Sequence, residues 1–104
     1  MSGPDNISKL DRLRARDGGN CWLCGAPIDF EAEPNSAKAW SIEHLLCKTH
    51  DGPSRIENLV LCHPPCNRTL GNRPLVKKIE MREKRRRKAW LASIRGQIRE
   101  VLGS

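Results

Sequence analysis

Asn58-Leu59-Val60-Leu61-Cys62-His63-Pro64-Pro65-Cys66-Asn67-Arg68 is the stretch that decides how this chain folds. Residues 58–62 read as a short strand, and Cys66-Asn67-Arg68 opens a helix. Upstream, Ala39 to Leu46 (Ala-Trp-Ser-Ile-Glu-His-Leu-Leu) reads as a first strand, and Lys48 to Glu57 joins the two with Asp51-Gly52-Pro53 as its turn signal. The pattern is a ββα unit, and the class α+β. A two-stranded hairpin is marginal alone, so the helix and a further staple must hold it.

Two half-sites supply that staple. Cys21-Trp22-Leu23-Cys24-Gly25 separates two thiols by two residues before a glycine, the spacing at which one tight turn presents both to a tetrahedral ion. About forty residues on, Cys62-His63-Pro64-Pro65-Cys66 offers the other half. His63 to Cys66 repeats the two-residue gap, which favours Cys21, Cys24, His63 and Cys66 as ligands. Cys62 is the competitor for the fourth place. Four such ligands close the coordination shell, so this zinc is expected to be structural. Cys47 reads as a core or loop thiol.

Composition agrees with a stapled fold. The chain has 104 residues, 38% of them hydrophobic, with three tryptophans, one phenylalanine and no tyrosine. So small a core is short of what an unaided domain needs. Five cysteines, an odd number, without an export signal argue for metal or free thiols over disulfides. The N-terminus lacks a signal-peptide apolar stretch, and no run approaches the roughly 20 apolar residues of a membrane span. The reading is a soluble, cytoplasmic protein with no membrane partner.

Charge is unevenly placed. Residues 1–73 carry nine Lys/Arg and nine Asp/Glu, whereas residues 74–104 carry ten against three, so 10 − 3 = +7 is the whole net charge. A concentrated cationic segment binds polyanions by releasing counterions, without sequence choice. Lys77, Lys78, Arg82, Lys84, Arg85, Arg86, Arg87 and Lys88 are the candidate phosphate contacts, with a solvated basic helix face as the alternative. Leu75 to Leu102 has no proline and reads as one long helix. Its apolar positions Ile79, Trp90, Ile94, Ile98 and Val101 form a helical stripe that would suit a partner or a homodimer. At the other end, Ile7 to Arg16 reads as a short amphipathic helix starting near Asn6 or Ser8 and stopped by Asp17-Gly18-Gly19. The division expected is a zinc-bearing domain over 1–73 and a basic helix over 74–104, either packed on it or projecting as an arm.

Cys21-Trp22-Leu23-Cys24, Glu43-His44-Leu45, Gly52, Asn58-Leu59-Val60-Leu61 and Cys66-Asn67-Arg68 stand in one order and spacing across residues 21–71. Together they resemble the HNH endonuclease family in its zinc-bound form. The resemblance implies a ββα-metal (His-Me finger) domain, with a bacterial or phage setting, that hydrolyses phosphodiester bonds of DNA, double-stranded DNA first. It implies that His44 is the general base for an attacking water, a task suited to an imidazole titrating near neutrality. Glu43 and Asn67 would be ligands of one divalent cation, Mg²⁺ or Mn²⁺. Asn58 would hold the intervening loop and so orient His44. Asn67 also reads as a helix N-cap.

This chain departs from the family pattern in several places. Glu43 stands where aspartate is frequent, Cys47 where a proline is usual after the histidine, Asp51-Gly52 where two glycines are usual, and Asn67 where histidine often stands. These changes put the metal preference in doubt. His50 has no assigned role beyond a phosphate contact. Two other readings compete: a zinc-stabilised DNA-binding module without catalysis, and a zinc-linked interaction domain whose last helix pairs with a partner. The set Glu43, His44, Asn58 and Asn67 favours the enzyme, since neither alternative requires it.

Overall fold

The computed structural model describes residues 5–47 and 55–103, and side chains from residue 9 onward within the first helix. His50 and the Asp51-Gly52-Pro53 turn signal lie outside the described residues.

Helix α1 runs Asp5–Asp17. It stops where Gly18, at φ 79°, returns its N–H to the Arg14 carbonyl at 2.8 Å, the left-handed closure that glycine adopts without penalty. Leu13 is buried. Arg16 ties the helix end to the second strand, donating to the carbonyls of Ile56 at 2.9 Å and Leu59 at 2.8 Å. Arg14 lies 3.9 Å over the Phe30 ring.

The hairpin is β1, Ser41–His44, antiparallel to β2, Leu59–Cys62, with Ser41 opposite Cys62 and His44 opposite Leu59. The first strand is shorter than the sequence predicts because both ends are taken by other pairings. Ala39 closes a turn with Ser36 at 3.1 Å, and Leu45 donates to the Asn58 carbonyl at 2.9 Å. Asn58 itself ends a single 3-10 turn, Ile56–Asn58, instead of opening the second strand. Every residue of β2 is buried.

Helix α2 spans Pro64–Leu70, starting two residues before the Cys66 expected from sequence. The prolines explain the early start, since a proline at the first helical positions loses no bond. His63 is the N-cap, so Asn67 sits inside the helix and not at its cap. Gly71 closes it at φ 52°.

Helix α3 is one uninterrupted element, Leu75–Gly103. At 1.5 Å per residue it is about 44 Å long, against 58 Å for the longest axis of the molecule. It meets the body through cations and not through the apolar stripe. Lys78, Arg82 and Arg86, at i, i+4 and i+8, face the body, and Trp90, Ile98 and Val101 remain exposed. The body presents carbonyl oxygens and a carboxylate on this side, so cationic stems fit it better than aliphatic ones. No helix among the described residues is long and apolar enough to cross a membrane.

Candidate metal centre and catalytic surface

The zinc half-sites meet. The Cys21–Cys24 turn is closed by Cys21 N–H to Ala26 O and Gly25 N–H to Cys21 O, each 2.9 Å. Gly25 takes φ 80°, a backbone state costly for any residue with a Cβ. The turn docks on β2 through Trp22 N–H to Leu61 O at 2.8 Å. That contact brings it to the start of α2.

The Sγ atoms of Cys21, Cys24 and Cys66 and a ring nitrogen of His63 all lie within 4.8 Å of one another. The Nδ1 of His63 is 3.4 Å from Cys24 Sγ and 4.0 Å from Cys66 Sγ. A tetrahedron built on Zn–S bonds of about 2.3 Å has edges of about 3.8 Å, so the spread suits zinc. His63 Nε2 lies 2.9 Å from the Pro27 carbonyl. An N–H there leaves Nδ1 as the lone pair facing the sulfurs, the outer-shell arrangement that fixes a ligating imidazole.

Thiol chemistry adds a second test of fit. A hydrogen bond from the Cys62 thiol pulls Cys21 down to about 3, assisted by backbone N–H groups of Cys24, His63 and Leu23. Cys66 is pushed up to about 12 by burial first and by the Cys21 charge second. Burial and the Cys21 charge therefore disfavour a thiolate at Cys66 without a cation, and a dication among the sulfurs removes that conflict. Cys62 lies outside the four-donor group. Its thiol is pushed well above the ordinary range, first by hydrogen bonding to Cys21 and then by burial, and it serves as a donor to the Cys21 sulfur.

On the hairpin, the two asparagines brace β1 from either end. Asn58 grips the Leu46 main chain twice, accepting its N–H at 2.8 Å and donating to its carbonyl at 2.9 Å. Asn67 donates through Nδ2 to Ser41 Oγ and the Ile42 carbonyl, both 3.2 Å. The amide nitrogen of Asn67 is thus engaged on the strand. Ser41 is the partner that the sequence did not single out.

Glu43 and His44 are adjacent on β1, so strand alternation sends their side chains to opposite faces. Glu43 shares its face with Ser41, the side on which Asn67 packs. It is 6% exposed and pairs with Lys78, Nζ to Oε2 at 2.9 Å. The contact is an ion pair without hydrogen-bond alignment, and Oε2 is buried with no directed donor among the described residues. Burial pushes this carboxyl above its ordinary range, and Lys78 and the His44 N–H offset part of that. A buried carboxylate and an amide oxygen are hard donors of the kind Mg²⁺ or Mn²⁺ takes.

The basic arm divides. Lys78, expected among the phosphate contacts, is 0% exposed and cannot reach DNA from there. Its ammonium is held in the hairpin by the His44 carbonyl and Cys47 as acceptors and by the charge of Glu43. Arg82 donates to the Trp22 carbonyl at 2.9 Å and lies 5.1 Å over the Trp22 ring. Arg86 Nη2 sits 3.3 Å from the same carbonyl. Lys77, Lys84, Arg85, Arg87 and Lys88 are exposed. Lys78, Arg82 and Arg86 lie off the apolar stripe, although their four-residue spacing is legible in the sequence.

A family model for HNH endonucleases matches residues 21–73, just over half of the chain. Comparison with curated proteins gives no match. The matched segment runs from the first cysteine of the four-donor group through both strands and α2, so it takes in the donor group, Glu43, His44 and both bracing asparagines. With the two-stranded ββα unit and its cysteine-histidine cluster, this chain belongs to the HNH endonuclease family.

Proposed function

We propose that the protein is a metal-dependent DNA endonuclease in which His44 is the general base. The observation that carries this reading is the bracing of β1. Asn67 holds the strand at Ser41 and Ile42, Asn58 holds the chain at Leu46, and His44 lies between the two clamps. A base that must meet a water in line with phosphorus gains from such restraint, since small misplacements are costly in rate. The imidazole of His44 takes the proton of the attacking water. Glu43 and Asn67 would hold one Mg²⁺ or Mn²⁺, which when bound stabilises the charge developing on the phosphate and the leaving oxygen. Zinc on Cys21, Cys24, His63 and Cys66 has no open position and would hold the fold alone. The cations of α3 that face solvent would grip duplex phosphates on both sides of the cut.

A binding module without catalysis is the second reading, and one observation favours it: the buried pairing of Glu43 with Lys78. Supercoiled plasmid separates the two. The nuclease reading expects nicked or linear product with Mg²⁺ or Mn²⁺ and none with excess chelator. Plasmid that is bound yet stays supercoiled with either metal would leave only the binding module.

A further inference from the structure

Lys78 is the most deeply buried cation among the described residues, and its surroundings are filled. An ammonium carries three hydrogens, and this one donates to the His44 carbonyl at 2.7 Å and Cys47 Sγ at 3.3 Å while ion-pairing with Glu43 Oε2 at 2.9 Å. A lysine is almost never wholly buried unless paired. An aliphatic residue would fill the same space beneath α3 without desolvating a charge, so the lysine is there for its ammonium.

The identity of the partners indicates its use. One is the side chain read above as a cation ligand, and another is the backbone of the residue read as the base. Lys78 thus touches both halves of the candidate centre while lying too deep to touch DNA. It stands in the first turn of α3, whose start is fixed by Lys78 N–H to the Pro74 carbonyl at 3.1 Å.

We infer that Lys78 is a positioning residue: its ammonium, bridging the Glu43 carboxylate and the His44 main chain, holds the carboxylate turned toward the catalytic cation and fixes the end of β1 against α3. The inference rests on the nuclease reading for its chemistry. One carboxylate oxygen takes the ammonium and the other is left for the cation. Outer-sphere partners of this kind change metal affinity or activity by about 10 to 100-fold when removed.

The test compares the zinc-loaded parent with Lys78→Met, following plasmid cleavage as Mn²⁺ and Mg²⁺ are titrated. The variant is expected to keep its zinc, its helical content and its KM for DNA, while the half-saturating metal concentration rises by about 10 to 100-fold. A folded variant with the parental metal requirement and rate overturns the inference, as does one that binds the metal more tightly at undiminished rate. Should Lys78→Met fail to fold, the parent decides by itself. In protein labelled with ¹⁵N-lysine, the buried ammonium signal should move as Mn²⁺ or Mg²⁺ fills the site, and a signal that stays still overturns the inference. A parent that cuts nothing with either metal overturns the nuclease reading instead, and the ammonium titration still tells whether Lys78 serves a cation at Glu43.

Discussion

The role proposed for His44 asks for chemistry and little contribution to stability. His44 is half-buried at the last position of a four-residue strand, and the strand is held by its neighbours. His44→Ala should therefore leave the thermal midpoint and DNA affinity close to those of the parent, while cleavage falls by about 10² to 10⁴-fold, the usual worth of a general base. Unchanged plasmid cleavage by the variant would remove His44 from the mechanism. Gly25 is the opposite case, a residue with no chemistry and a strict backbone demand. A Cβ there would sit in left-handed backbone and 3.3 Å from Arg86 Nε. The arginine can swing aside, so the cost lies in the backbone. Gly25→Ala should lower stability by about 1–2 kcal/mol, read from the denaturant midpoint.

Among the elements, the hairpin and α2 are expected to depend on metal at the four-donor group more than on their own contacts. Neither four-residue strand could stand alone, and the cysteine turn reaches β2 through one main-chain bond. Cys21→Ser or Cys66→Ser should unfold residues 21–73, because metal binding in such a site is part of the folding free energy. Circular dichroism and metal analysis check this, with one zinc per chain expected in the parent. Prolonged chelation should produce the same unfolding, and added Mg²⁺ should not reverse it. A folded Cys21→Ser chain, or a parent without zinc, would refute the staple. Asn67 also joins two elements. Placed in the middle of α2, it is a cross-link between helix and strand, and the capping role expected of it passes to the His63 position.

The whole molecule is elongated, with a radius of gyration of 16.0 Å where a compact chain of this length has about 13 Å. The difference comes from α3, which is anchored through Lys78, Arg82 and Arg86 and carries its remaining residues past the body. DNA affinity should therefore divide among its cations by direction. Replacing Lys84, Arg85, Arg87 and Lys88 by alanine should weaken binding to all sequences alike and flatten the plot of log affinity against log salt by roughly 0.9 for each phosphate no longer neutralised. Arg86→Ala should instead leave that slope nearly unchanged and loosen the helix from the cysteine turn. Affinity measured by fluorescence anisotropy over a salt series distinguishes them, and equal slopes for parent and quadruple variant would rule out the exposed face as the phosphate grip.

Local patterns in the chain were enough to determine the ββα order, the long last helix and the four residues that come together as a group able to hold a metal. A cysteine pair at a two-residue gap and an apolar strand reveal themselves within a few residues, since turn and strand geometry are local. The uneven charge was equally plain, because net charge needs no coordinates. Only the tertiary structure decided which way each cation points. Lys78 and Lys77 are indistinguishable in sequence, yet one is buried against Glu43 and the other is exposed. Which lysine turns inward depends on the acceptors that β1 and Cys47 present about thirty residues away, and pairing over that distance is set by packing. The grouping of His63, and not Cys62, with the other three candidate donors has the same origin. Strand β2 carries Cys62 up to its end and α2 begins directly after His63, so the chain's change of direction there puts the imidazole, and not the neighbouring thiol, among the other three donors.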